Sequence, residues 1–168
     1  GDLVDGKAVF AQGDVTVTTS VSEGDLAAYN KPDHHVGRWI GNNDNSGLDR
    51  TETLTVEIDG GDANRVDFTL GGLGSYFDEA SSHATEILIT AYDQDNNVIE
   101  TQGGYRESGS YEDVYSFETP TPVSRFEITS QGSSGTFVVK NMTLSSTDTI
   151  EIPGHWESVK EDQSITID

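Results

Sequence analysis

The strongest constraint on this chain is an alternation of apolar and polar residues with period two, repeated in run after run. Leu54, Val56 and Ile58 alternate with Thr55, Glu57 and Asp59. Val66, Phe68 and Leu70 alternate with Asp67 and Thr69, and Ile87, Ile89 and Ala91 follow the same rule. Phe126 and Ile128 repeat it, as do Phe137 and Val139. Successive side chains of a strand point to opposite faces, so each run buries one face and wets the other. After Val139 the phase shifts, and Met142 and Leu144 carry the apolar face. A one-residue shift flips every side chain, which predicts a β-bulge near Lys140-Asn141.

Turn residues punctuate these runs. Gly60-Gly61-Asp62, Gly71-Gly72-Leu73-Gly74 and Gly132-Ser133-Ser134-Gly135 read as loops. Asp93-Gln94-Asp95-Asn96-Asn97 reads as a hairpin loop between two strands. No segment of helical length has helical period. About ten short strands with polar outer faces predict an all-β chain, an antiparallel, jelly-roll-like β-sandwich.

The 168 residues suit one domain with a core of its own. Cysteine is absent, so rigidity must come from packing or a bound metal rather than disulfides. Thirty acidic residues against nine basic ones give a formal charge of −21. That field repels nucleic acid and anionic lipid, attracts divalent cations, and keeps a protein soluble. No apolar run is long enough to insert in a membrane, and the first residues do not form a signal peptide. These features predict a monomeric module within a longer, exported chain, acting extracellularly.

Near its end the chain changes character. The expected domain spans 1–147, with 148–168 a linker and a further strand. Val159 to Asp168 alternates again and resembles the opening strand of the cadherin-like modules of giant bacterial surface proteins. The alternative is a last strand of the same domain.

The densest polar cluster runs from Gly41 to Glu52. Calcium takes six to eight oxygens from carboxylates, amides, backbone and water. Asn42, Asp44 and Ser46 followed by Gly47 match the first half of an EF-hand loop, but Thr53 stands where the bidentate glutamate belongs. This reads as a non-EF calcium loop, with Asn42, Asp44, Asp49 and Glu52 as ligands and calcium stabilising the fold; the alternative is a solvated turn. Asp93 and Asp95 share the spacing, but the flanking strands already explain them as a hairpin.

Two further loops suggest recognition. One carries Tyr76 and Asp78, the other Tyr105, Arg106 and Tyr111, in the stretch Gly103 to Asp113 that reads as a mobile lip. With Asn43 these are the candidate ligand-binding residues. Catalysis has little support: there is no thiol, no Gly-x-Ser-x-Gly elbow, and His34 and His35 are adjacent, so that on a strand they would point to opposite faces. The expectation is a binding protein, not an enzyme.

Several segments taken in order carry a resemblance: Val36 to Gly41, the Asn/Asp loop, Glu52 to Val56, Val66 to Gly74 and Ala84 to Ile99. Together they resemble the ligand-binding, peptide-binding domain of the large RTX adhesins of Gram-negative bacteria. The resemblance implies a calcium-dependent β-sandwich at the bacterial cell surface. It also implies recognition of a peptide or protein C-terminus on a host or neighbouring cell, with calcium helping to bind the terminal carboxylate. An acidic surface repels a carboxylate, and a bound calcium inverts that field locally. A calcium-dependent carbohydrate-binding module with a glycan partner, or a structural spacer, are the alternatives.

Overall fold

A computed structural model describes residues 2–22, 26–30, 38–42, 48, 50–61, 63–107, 109–132, 135–146 and 165–167. At 2–4, 27–30, 38–42 and 165–167 it describes the backbone alone. The predicted alternation becomes two antiparallel sheets. The first has the spatial order β1 (Asp2–Val4), β2 (Lys7–Gln12), β3 (Val15–Val21), β6 (Leu54–Asp59), β11 (Arg125–Gln131), β8 (Glu86–Tyr92) and β9 (Val98–Gly104). The second has the order β10 (Glu112–Glu118), β7 (Arg65–Gly71), β12 (Val138–Ser145), β5 (Arg38–Asn42) and β4 (Leu26–Asn30), and β13 (Ile165–Ile167) also pairs with β12.

The two sheets share one core, which makes the fold a β-sandwich. Val15 and Val17, Leu54 and Val56, Ile87 and Ile89, and Phe126 and Ile128 face inward from the first sheet. Val66, Phe68 and Leu70, with Met142 and Leu144, meet them from the second. Phe126 makes edge-to-face contact with two rings from the opposite sheet, Phe68 at 5.6 Å and Phe117 at 5.7 Å between centroids. Edge-to-face contact adds to the roughly 1.5–3 kcal/mol that burying each large apolar side chain contributes.

The bulge lies where the phase shift puts it. The β12–β7 register slips between Val139 and Asn141. Val138 and Val139 are both buried, and the alternation resumes at Met142 and Leu144. The predicted hairpin is present too. The Asp93 carboxylate accepts hydrogen bonds from the backbone N–H of Asp95 and Asn97 and from the Asn97 side-chain amide, at 2.8–3.2 Å.

The registers gather the connections at two poles. Gly71 pairs with Glu112 and Val138, Glu86 with Gln131, and Ile87 with Gly104. The described residues of the loops that leave these ends, 72–85, 105–107, 109–111, 132 and 135–137, therefore lie together. At the opposite pole the 60–64 turn, the 93–97 hairpin and residues 119–124 are joined by main-chain hydrogen bonds, such as Thr119 N–H to Asn64 O at 2.8 Å. Gly60 keeps that pole closed: its φ is +87°, and a Cβ there would lie 2.3 Å from the Asp14 carbonyl oxygen. A side chain cannot be accommodated against fixed backbone.

At one edge of the sandwich β9 ends the first sheet and β10 ends the second. Only seven residues, 105–111, separate these two strands in sequence.

Candidate functional site

The pole bearing loops 72–85 and 105–111 holds most of the candidate residues, and it is cross-braced. A single 3-10 turn, Ser75–Phe77, follows the glycine run. It places Phe77 inward, buried against Phe137 with ring centroids 6.4 Å apart, and Tyr76 outward. Gly135 (φ +116°) makes room for it, since a Cβ there would lie 3.0–3.2 Å from the Phe77 and Tyr76 side chains. Main-chain bonds tie the loops together: Arg106 N–H to Phe77 O at 2.9 Å, Thr85 N–H to Tyr76 O at 2.8 Å, and Leu73 N–H to Tyr111 O at 3.2 Å.

Arg106 is the centre of this bracing. Its side chain is 7% exposed, and its Nε and Nη2 donate to the two oxygens of Asp78 at 2.6 and 3.1 Å. Nη1 donates to the Leu73 and Ser110 carbonyls at 2.7 and 2.8 Å. Four of the five N–H donors of the guanidinium are thus engaged within the protein. The Arg106 hydrogen bond holds the Asp78 carboxyl below the usual carboxylate range. The stretch expected as a mobile lip is shorter and firmer than its sequence suggests. Gly103 and Gly104 finish β9, and Glu112 and Asp113 begin β10. The connection between them hangs on Arg106.

The tyrosines lie outside this brace. Tyr76, Tyr105 and Tyr111 are 43%, 37% and 49% exposed. Tyr76 stacks edge-on with His83 at 4.5 Å, and the Arg106 guanidinium lies 5.8 Å from the Tyr111 ring centroid. Where Tyr105 to Glu107 meet the start of β10, an open groove of about 500 Å³ is lined by Tyr105, Arg106, Glu79, Glu107, Asp113, Val114 and Tyr115. Sequence reasoning singled out Tyr105 and Arg106 and included Glu107 and Asp113 within the Gly103 to Asp113 stretch, but named neither Val114 nor Tyr115. The signal for Tyr115 was its spacing from Phe117, which marks the inward face of a strand. A second groove, of about 480 Å³, sits at the opposite pole between Gly60-Gly61, Gln94 and Pro122, and none of its lining residues is aromatic.

Of the expected calcium ligands, Asp44 and Asp49 lie outside the described residues, as does Asn43. Asn42 is described as backbone of β5. Glu52 is described: it is buried just ahead of β6, 5% exposed, and interacts within the protein. Leu48 exchanges both main-chain hydrogen bonds with Phe137, at 2.6 and 2.9 Å. Leu48 therefore lies at the same pole as the tyrosines. Among the described residues no group of three or more histidines and acids is placed to hold a metal ion.

Among known proteins, no family model and no curated protein matches the chain. A solved structure of a family 6 carbohydrate-binding module is 20% identical, with a TM-score of 0.45 over 76% of this chain and 87% of that one. The enzymatically active domain of tailspike protein 4 of bacteriophage CBA120 is 15% identical, with a TM-score of 0.36 over 76% of this chain and 18% of that one. At this level of likeness, function must be read from the chain's own residues. No described helix is long and apolar enough to cross a membrane.

Proposed function

We propose that this β-sandwich is a binding module that takes a saccharide in the groove where Tyr105 to Glu107 meet the start of β10, without turnover. The observation that carries the reading is the lining of that groove: the half-exposed ring of Tyr105 beside the carboxylates of Glu79, Glu107 and Asp113. An aromatic ring packs on the C–H face of a sugar, and carboxylates accept hydrogen bonds from its hydroxyls. A polyhydroxylated ligand carries no charge for the −21 field to repel. The test is a glycan array followed by calorimetric titration of the hits, with Tyr105→Ala as the groove variant. Saccharide binding that Tyr105→Ala removes supports the reading; binding that Tyr105→Ala leaves intact moves the site elsewhere.

The second reading is calcium-dependent capture of a peptide C-terminus, as the adhesin resemblance implies. It is favoured by the Leu48–Phe137 pairing, which puts Leu48, one position before Asp49 in sequence, at the tyrosine-bearing pole. Asn42, Asp44, Asp49 and Glu52 would hold the ion, and its charge would offset the acidic surface for a carboxylate. Arg106 supplies little of that charge, because Asp78 already pairs with it. A C-terminal peptide array run with calcium and with chelator separates the two readings.

A further inference from the structure

The groove is acidic as well as aromatic, and its charge has no balance within the protein. Glu79 and Glu107 are exposed in it, and Asp113 is half-buried beside them. The Asp113 carboxylate accepts the Glu107 backbone N–H at 2.8 Å, which fixes that side of the groove to the start of β10. Among the described residues, no side chain bonds or pairs with the carboxylates of Glu79 and Glu107. The one basic side chain in the lining, Arg106, already gives its guanidinium to Asp78 and to main-chain carbonyls. Three carboxylates therefore share an open groove with the exposed ring of Tyr105 and with no free counter-charge.

We propose that the saccharide this groove takes is cationic: a chain of amino sugars whose amines are free and protonated, as in deacetylated glucosamine oligomers. This deepens the carbohydrate reading and rests on it. A sugar ammonium supplies three N–H donors and a positive charge to carboxylates that can only accept. Hydrogen bonds between charged partners are roughly twice as strong as neutral ones. The face of Tyr105 attracts a cation as well as the C–H face of a sugar. The −21 field of the whole chain raises the concentration of such a ligand at the surface. N-acetylation removes the charge and leaves the carboxylates unbalanced. A uronate brings a like charge to them and is disfavoured.

The experiment uses calorimetric titration at about pH 6, where amines are protonated and carboxylates ionised. The ligands are glucosamine oligosaccharides, N-acetylglucosamine and glucose oligosaccharides of the same length, and tetralysine. The proteins are wild type, Tyr105→Ala, the groove pair Glu79→Gln, Glu107→Gln, and a charge-matched pair at the other pole, Glu57→Gln, Asp95→Asn. The expected result is binding of the glucosamine series at least about tenfold tighter than the N-acetylated and glucose series. The groove pair loses most of that preference, the distant pair keeps it, and both melt no lower than wild type. Suppose Tyr105→Ala weakens binding, yet the N-acetylated or glucose series binds as tightly as the glucosamine series. This inference then fails and the carbohydrate reading stands. Equal losses in the two pairs overturn it too, because the overall field and not the groove then selects the cation. Tetralysine that binds as tightly, with the same dependence on the groove pair, makes this a cationic-peptide site and also overturns it. Absence of binding to any saccharide by wild type overturns both.

Discussion

Arg106 and Asp78, 28 positions apart in sequence, form a two-pronged ion pair, with Nε 2.6 Å from Oδ1 and Nη2 3.1 Å from Oδ2. The pair joins the loop after β7 to the loop between β9 and β10. Both candidate recognition loops are thus held by one guanidinium whose remaining bonds go to main-chain carbonyls. The proposed groove is built on that brace.

Arg106→Ala leaves the Leu73 and Ser110 carbonyls and the Asp78 carboxylate without their donor. The melting temperature is expected to fall by roughly 5 °C, for a domain of this size losing several charge-assisted bonds. Arg106→Lys recovers less than half of the loss, because an ammonium cannot reproduce the planar fork. Calorimetric melting of the two variants checks this, and a lysine variant as stable as wild type argues against the fork geometry.

The Arg106 hydrogen bond lowers the Asp78 pKa, and hydrogen bonds led by that from the Asn97 backbone N–H lower that of Asp93. A group whose folded pKa is depressed adds stability that is present above its unfolded pKa and lost as pH falls through the folded value. The stability gap between wild type and the double variant Asp78→Asn, Asp93→Asn should be full above about pH 5 and close as pH falls below about 4. Comparing the two proteins at each pH cancels the relief of general charge repulsion. A gap that is constant from neutral to acid pH contradicts the assignment.

Calcium should raise the melting temperature relative to chelator, since a ligand bound to the folded state alone adds about 4 kcal/mol at a thousandfold excess over its dissociation constant. Asp44→Ala and Glu52→Ala should shrink the calcium-induced rise. Asp95→Ala should not, because its hairpin is closed on the Asp93 carboxylate. Equal melting with calcium and chelator in wild type counts against the metal.

Tyr105→Ala should weaken saccharide binding by about tenfold, the scale of one aromatic packing contact. Its melting temperature should hold, because the ring is 37% exposed and belongs to a loop. Titration and melting on one preparation separate a lost contact from a lost fold.

Phe126→Ala removes the ring on which Phe68 and Phe117 both rest, and should cost about 4 kcal/mol of unfolding free energy in denaturant titration. Phe126→Leu, which keeps most of the volume, should cost less than half as much. Similar losses for the two variants mean that the site collapses around the truncation.

The residues by themselves determined which face of each strand is buried, and where the count slips. Val66, Phe68 and Leu70, and Phe126 and Ile128, had to face one core because their spacing leaves no other way to remove them from water together. The bulge at Val139 to Asn141 was legible for the same reason, and so was the Asp93 to Asn97 hairpin, whose bonds are local. Periodicity reports a face, however, and not a neighbour. That Arg106 reaches Asp78 and that the Tyr115 ring comes against Gly104 are both contacts between segments apart in sequence. β10 itself was hard to read, because an edge strand keeps Val114 in solvent and only half buries Tyr115, which blurs its alternation. Only the packing of two sheets decided where these residues meet. The pairing of strands is set by the whole core, while the pattern along each strand is set by its own side chains.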